Sequence, residues 1–577
     1  MSARNPVSRK EPIVKIRIMT VLVSLGVVFT LLNSGVIRGI PNVALAADST
    51  VSGIVSDATG KPIRGAMVKA TAKGKAVTRF TTADGRYEIM PPVGSTELTA
   101  EAYGFGTKRI ALDATRQGDA NFQLSTRFDV TRLSSAEIES LLPDNSDTRL
   151  IKSTCIDCHT LGTVMIRRGQ TAEEWKAFLP TMPSRLMPTR PFAEKPVEFT
   201  ALTSALEKYF GPNADYFGPD AMPPDPNSVK HVPVADEVTR ATIREYDVPN
   251  MSSLPHSIEI DQKANVAWFT EYGFKGNDAV RFDIATETFK TYPMLTPNVL
   301  PHTGAVGKDG RFWIALAAPG PAKLAMVDPK TGEVKEYKWP ERDGRAHTVR
   351  VDPKSGNLWF SGGGMDELWS FDTKKEQFKG FKYDLPKSWP TDSEPVYKKV
   401  SGQALDPVQG YSYDVGIDSK GLVWFSEIFL GQIVRLDPTT GETRDFKAPG
   451  TINIRGIHVD QQNNVWFSSY FSHKVGKLDT RTGEVKYYQT PTANATPYGW
   501  VPDPQTGNLW FADQNGNNIT RLDPKTGKFT EFPIPTRNAN PRFIDIDGQG
   551  RIWFTEFMQS KIGMIDPEGS KKIASIH

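Results

Sequence analysis

The sequence predicts a mainly β chain, most of it a seven-bladed β-propeller, preceded by a small β-sandwich and a short α-helical segment. Three observations predict it. A Trp-Phe pair or a close variant recurs at Trp268, Trp313, Trp359, Trp424, Trp466, Trp510 and Trp553. An aspartate turn follows each copy, at Asp283, Asp328, Asp372, Asp437, Asp479, Asp523 and Asp566, most of them reading D-P-x-T-G or D-T-x-T-G. The copies lie roughly 42 to 46 residues apart, with one longer step between the third and fourth, which is the length of a four-stranded blade.

Taken in chain order, residues 1–47 read as an export signal. Arg4, Arg9, Lys10, Lys15 and Arg17 precede an apolar run from Ile18 to Leu32, and Ala44-Leu45-Ala46 supplies the small residues of a cleavage site. The run is short for a membrane span, so a span is expected only if the leader stays uncleaved. The expected location is the periplasm. With 69 basic and 66 acidic residues the formal charge is +3, which argues against a nucleic-acid partner. Two cysteines in a chain of 577 residues exclude a disulfide scaffold and point to a local purpose.

Residues 48–126 read as the sandwich. Val51, Gly53 and Val55 alternate, Asp57 to Pro62 makes a turn, and Ala83-Asp84-Gly85 makes another before Tyr87 and Ile89. The pattern V-x-G-x-V-x-D-x-x-G-x-P-I-x-G-A with T-x-A-D-G-x-Y-x-I resembles the carboxypeptidase regulatory-like domain. That resemblance implies a transthyretin-like β-sandwich without catalytic residues, used for docking or as a folding accessory.

Residues 127–235 change character. Ser135 to Leu142, Thr171 to Leu179 (with Glu174 closing a capping box) and Val197 to Phe210 have helical spacing, and a Pro-rich linker from Pro212 to Pro233 follows. Between the first two helices stands Cys155-Ile156-Asp157-Cys158-His159. Two thiols at this spacing each bond one vinyl group of a haem, and the adjacent His ligates its iron. A zinc site needs two more ligands, and none is visible in the segment. The expectation is a cytochrome c domain with one covalent haem c. The run C-x-x-C-H-T-L followed by E-E-W-x-x-x-L-x-x-M resembles bacterial monohaem domains attached to propellers. It implies Met182 as second axial ligand, with Met165, Met187 and Met222 as the alternatives.

Residues 240–577 form the propeller. Thr242 to Pro249 is a spare strand ahead of the first copy, and the last copy lacks its fourth strand, so the spare one is expected to complete blade seven. The longer step leaves an insertion at about Leu385 to Tyr411. The motifs P-H-x-x-x-x-D, W-F-T-E and D-P-x-T-G-E-x-x-E-F resemble the streptogramin lyase (virginiamycin B lyase) family. In that family a metal-assisted lyase opens a cyclic depsipeptide with a His at the start of an inner strand and a Glu after W-F-T. Aligned here, the inner-strand positions are His256, His302, His347, Tyr413, Arg455, Tyr498 and Arg542, and the carboxylates are Glu271, Glu427, Asp513 and Glu556. Both sets are expected to face the central channel at one end. His256 with Glu271 best matches the family's pair, and His302 and His347 are further candidates for catalysis. Glu427, Asp513 and Glu556 are candidate ligands of a divalent cation such as Mg. The three histidines either share a transition metal or hydrogen-bond around a wet channel.

Two enzyme classes follow, oxidoreductase and lyase. The first is an exported haem protein that couples electron transfer, with a redox partner protein, to binding or oxidation of a small molecule at the channel. The alternative is a metal-dependent lyase acting on a cyclic ester or similar substrate, and a second alternative is a binding module without catalysis.

Overall fold

A computed structural model of the chain describes residues 50–112, 120–156, 159–179, 199–219, 228–273, 276–317, 323–340, 345–363, 367–385, 411–428, 430–451 and 453–569. The leader, Cys158, the methionines Met182, Met187 and Met222, and all of the insertion between Leu385 and Tyr411 lie outside the described residues. Residues 43–577 form one compact unit.

Seven strands build the N-terminal module: β1 (Val51–Asp57), β2 (Met67–Ala72), β3 (Lys75–Phe80), β4 (Arg86–Ile89), β5 (Glu97–Glu101), β6 (Lys108–Ala111) and β7 (Phe122–Leu124). One sheet has the order β4-β1-β7 and the other contains β3-β2-β5-β6. Period-2 alternation puts Val51, Val55, Val68, Ala70, Leu98, Phe122 and Leu124 between them, all buried.

Among the described residues five helices follow: α1 (Ser135–Leu141), α2 (Ser146–Cys155), α3 (Leu161–Ile166), α4 (Ala172–Phe178) and α5 (Phe199–Phe210). Capping boxes start three of them, Ser134 with Glu137, Asn145 with Thr148, and Thr171 with Glu174. Ile138, Ile151, Leu161, Trp175, Leu206 and Phe210 form their common core. These helices occupy the place of the expected cytochrome, but the fold alone does not identify them as one.

The rest is propeller-like: six sheets of four strands, and a seventh blade whose four strands lie within a larger sheet. No sheet closes on itself. The ring arises because neighbouring inner strands pack side by side, and the inner strand of blade seven (Pro541–Ile546) returns to that of blade one (Pro255–Asp261). All seven aspartate turns form as expected: each Asp side chain accepts the backbone N–H two residues on, as in Asp328 from Lys330 at 2.9 Å and Asp523 from Lys525 at 2.9 Å.

The spare strand β8 (Thr242–Asp247) pairs antiparallel with the last strand, Lys561–Asp566, as the outer strand of blade seven. Its far edge is also occupied. Lys75 to Arg79 of β3 pair with Tyr246 to Thr242, so blade seven and half the sandwich form one eight-stranded sheet. Lys69 adds an ion pair to buried Glu245 across this seam at 2.7 Å.

Candidate functional site

A β-bulge at the start of every inner strand builds the candidate site. In each blade two inner-strand residues stand opposite one residue of the second strand, and the first of the two is the aligned position: His256, His302, His347, Tyr413, Arg455, Tyr498 and Arg542. A bulge re-aims its side chain, and here all seven side chains are buried in a ring at one end of the propeller.

The hydroxyl in W-F-T or W-F-S holds the bulge. It accepts the N–H of the second bulged residue, as Thr270 does from Ser257 at 3.2 Å, Ser361 from Thr348 at 3.1 Å, Ser426 from Asp414 at 3.2 Å and Ser468 from Gly456 at 2.7 Å. The same hydroxyl ties neighbouring blades: Thr270 donates to the His302 carbonyl at 2.7 Å, Ser361 to the Tyr413 carbonyl at 2.7 Å, and Thr555 to the His256 carbonyl at 3.1 Å. The motif therefore sets the position of the ring residues.

Around the ring the side chains run on from one another. His256 Nδ1 donates to the His302 carbonyl at 3.1 Å, His302 Nδ1 to the His347 carbonyl at 2.9 Å, and His347 Nδ1 to the Tyr413 carbonyl at 3.0 Å. Successive rings lie 4.0, 3.9 and 3.9 Å apart. Because a carbonyl only accepts, each Nδ1 carries the proton and each Nε2 keeps its lone pair. Burial, with help from His302, Arg542 and His347, holds His256 well below the usual histidine pKa. Tyr413 and Tyr498 share a hydroxyl–hydroxyl bond of 2.5 Å, Arg455 lies 4.1 Å over Tyr470, and Arg542 lies 4.3 Å over Phe557.

The carboxylates occupy one equivalent place, Glu271, Glu427, Asp513 and Glu556 each pairing across the strands with the residue just before a ring position. Glu271 pairs across the strands with Pro255, next to His256, and burial pushes its carboxyl up to about 7. Glu427 accepts from the Tyr383 hydroxyl and from the Tyr411 N–H at 2.8 Å. Asp513 accepts from the Thr496 N–H at 2.7 Å and the Gly516 N–H at 3.1 Å, and burial still pushes it up to about 7. Glu556 sits beside Glu245 of its own blade, and burial and that neighbour raise it. Glu427 and Asp513 thus hold loop N–H groups, whereas Glu556 braces no loop among the described residues. Among the described residues no three or more His, Cys, Asp or Glu are grouped to hold a metal ion, the three ring histidines included.

A charged layer deeper in the channel was not anticipated. Arg350 bridges Asp414 at 3.1 Å and Glu259 at 3.8 Å, and Asp545 accepts the Ile260 N–H at 2.6 Å from the neighbouring blade. Burial and the Asp545 charge push Glu259 up to about 8, and burial pushes Asp545 up to about 6. Glu259, Arg350, His458 and Asp545 each stand three residues after a ring position. That spacing is a readable signal once the bulge is known.

The helical segment docks on the ring end. The Ala136 N–H donates to the Asn515 carbonyl at 2.9 Å, and Asn515 Nδ2 to Glu139 at 3.2 Å. The Thr160 hydroxyl donates to Asn538 at 2.7 Å, and the Tyr470 hydroxyl reaches the Ile156 carbonyl at 3.4 Å. Cys155 closes α2 and is buried. His159 Nδ1 lies 3.2 Å from the Thr160 carbonyl, which leaves Nε2 with its lone pair. Burial lowers its pKa, and the Arg542 charge acts in the same direction. Met165 is buried in the helical core.

Residues 399–576, which include blades four to seven, match the Virginiamycin B lyase family, and residues 50–125 match the Carboxypeptidase regulatory-like domain. Similar solved structures include a selenomethionine-substituted virginiamycin B lyase from Staphylococcus aureus, 24% identical over 56% of this chain and 99% of that chain, with a TM-score of 0.48. A catalytically inactive variant of that lyase with quinupristin is 23% identical over 56% and 99%, also with a TM-score of 0.48. A streptogramin B lyase is 21% identical over 56% and 97%, again at 0.48. No curated protein matches the chain. The chain thus combines a virginiamycin B lyase-like propeller with a carboxypeptidase regulatory-like domain, and neither match covers the helical segment between them.

Proposed function

We propose that the ring end of the propeller binds a small organic molecule and acts on it as a lyase of the streptogramin type, with His256 as proton acceptor. The family match of residues 399–576 supports the class. The observation that carries the site is the bulge-built ring, which gathers one side chain from each blade. His256 is kept neutral and its Nδ1 is committed to the His302 carbonyl, so Nε2 is the base. In this reading it takes a proton from the carbon next to the one that bears the ester oxygen; a C=C bond forms between those two carbons as the C–O bond breaks, and the acid half leaves as a carboxylate. Glu271, raised to about 7 and next along the site, is the second group able to move a proton near neutral pH. A divalent cation does not fit the carboxylates as they stand, because Glu427 and Asp513 are committed to backbone N–H groups in separate blades and no three such groups lie together among the described residues. Incubation of the purified full chain with quinupristin, followed by mass spectrometry for the opened product, tests this reading.

A second reading is favoured by one observation, the contacts of Ile156 and Thr160 with the ring end, which flank Cys158 and His159 in the chain. We infer that Cys155 and Cys158 hold a haem c and His159 ligates its iron. Buried Cys155 at the end of α2, and a neutral His159 oriented by the Thr160 carbonyl, fit that group. A bound haem supplies one-electron chemistry, which implies a redox partner protein and maturation in the periplasm. Met182 remains the proposed second ligand. Co-expression with haem-maturation enzymes tests it. A covalent haem spectrum that survives denaturation and disappears in Cys155→Ala is expected, and a haem-free wild type contradicts it.

A further inference from the structure

We propose that the cleft where the sandwich, the helical segment and the propeller meet binds a small amphipathic anion, an aromatic ring system that carries a carboxylate or sulfonate. This site is separate from the ring, none of whose seven residues stands in the wall of the cleft.

The cleft has a volume of about 550 Å³, within the roughly 300–1,000 Å³ of small-molecule sites. All three modules line it. Ile63, Met67 and Phe80 come from the sandwich, Leu133 from the stretch before α1, and Phe529 and Ile534 from blade six. The wall also carries a stack of rings. Tyr103 lies face to face with His231 at 3.8 Å and 8°, and Phe128 meets Tyr103 edge-on at 5.7 Å. The stack is anchored, because His231 Nδ1 lies 2.8 Å from Glu137, the residue that closes the capping box of α1. Rings fixed in this way offer faces and edges to an aromatic guest.

Charge gives the guest its sign. Each carboxylate in the wall is already committed. Glu101 pairs with Arg132 at 2.9 Å and Arg537 at 3.3 Å, and Asp129 accepts the Thr131 N–H at 3.0 Å. Glu137 accepts the Ser134 N–H at 2.7 Å and faces His231. Glu531 accepts the N–H and the hydroxyl of Thr492 at 3.0 and 2.8 Å. Arg127 and Lys230, by contrast, have no side-chain partner among the described residues. They are the chain neighbours of Phe128 and His231 and, like them, line the cleft. Both are exposed. An entering anion therefore meets two cations that no carboxylate neutralises, at little cost in desolvation. An uncharged ring compound gains only the stack, and a cation meets repulsion.

The test uses the full chain and two dyes of one shape, 8-anilinonaphthalene-1-sulfonate and the uncharged N-phenyl-1-naphthylamine. Wild type is compared with Arg127→Gln, Lys230→Gln and the double variant, after far-UV circular dichroism has shown each to be folded. The wild type is expected to bind one sulfonate dye per chain, displaced by 1-naphthoate. Each single variant is expected to weaken that dye about threefold and the double variant about tenfold, with the uncharged dye unaffected. Should a variant fail to fold, the salt dependence of the wild type is read instead: screening is expected to weaken the sulfonate dye and spare the uncharged one. The proposal is overturned by a wild type that does not bind the sulfonate dye, by unchanged affinity in the folded double variant, or by sulfonate binding that salt does not weaken. An equal loss for both dyes also overturns it, since charge then plays no part. Displacement by laurate but not by 1-naphthoate would assign the cleft to an aliphatic acid and overturn the aromatic class.

Discussion

Glu259 and Asp545 hold protons at pH values where an unfolded chain has lost them. An unfolded glutamate titrates near about 4.3, whereas burial and a neighbouring carboxylate push Glu259 up to about 8 and burial pushes Asp545 up to about 6. The folded state therefore binds more protons than the unfolded one between those limits, and the stability present near pH 4 is lost as the pH rises toward 8. The urea midpoint of the wild type is expected to fall over that window, and Glu259→Gln to flatten the fall. An equally steep fall in Glu259→Gln would remove Glu259 as its source. At this scale the ring was legible in the sequence, because His256 to Arg542 recur at one position of a repeat. The Glu259–Arg350–Asp414–Asp545 layer was not, because which face a residue takes after the start of the inner strand depends on a bulge that the residue pattern does not display. The carboxylates were legible as a recurring position but not as to role. Bracing a loop and facing a channel both call for a buried acid.

At the scale of elements, the blade depends on the W-F-T hydroxyl and on glycines under aromatic rings. Thr270 accepts the Ser257 N–H and donates to the His302 carbonyl, so Thr270→Val takes the acceptor from a buried N–H, while the carbonyl keeps its bond from His256 Nδ1. A loss of about 1–3 kcal/mol in urea unfolding is expected. Gly563 lies beneath Phe554, whose ring would be 2.1 Å from an added Cβ, and Gly476 and Gly304 repeat the arrangement under Phe467 and Phe312. Gly563→Ala is expected to cost about 1–3 kcal/mol by overpacking, again read from urea unfolding. The blades and their aspartate turns were legible because each repeat carries its own turn signal. Helix α2 was not, since the Asn145–Thr148 box resembles loop sequence until the helix it caps is seen.

For the molecule as a whole, the sandwich is joined to blade seven by strand pairing. The β3–β8 ladder covers an edge that would otherwise be exposed on the strand completing the last blade. A proline at Val77 in β3 removes a ladder donor and is expected to lower stability by about 3 kcal/mol, and to speed hydrogen exchange across Thr242–Asp247. Faster exchange confined to the sandwich would show that the seam adds nothing to the propeller. The completion of blade seven could be anticipated from a spare strand and a short last repeat. The seam could not, because the Lys75–Phe80 stretch carries no mark of the partner it pairs with. The docking of the helical segment on the ring end was equally silent, being made by Asn494, Asn515 and Asn538 on separate loops. It brings the C-x-x-C-H segment and the ring to the same end of the propeller, where both proposed chemistries are located. The measurement that tests the ring most directly is the initial rate of cyclic ester opening by wild type and His256→Ala, with folding of both checked by circular dichroism. A measurable wild-type rate that falls by about 10²-fold or more in the variant is predicted, whereas an unchanged rate, or no opening by the folded wild type, would contradict the account.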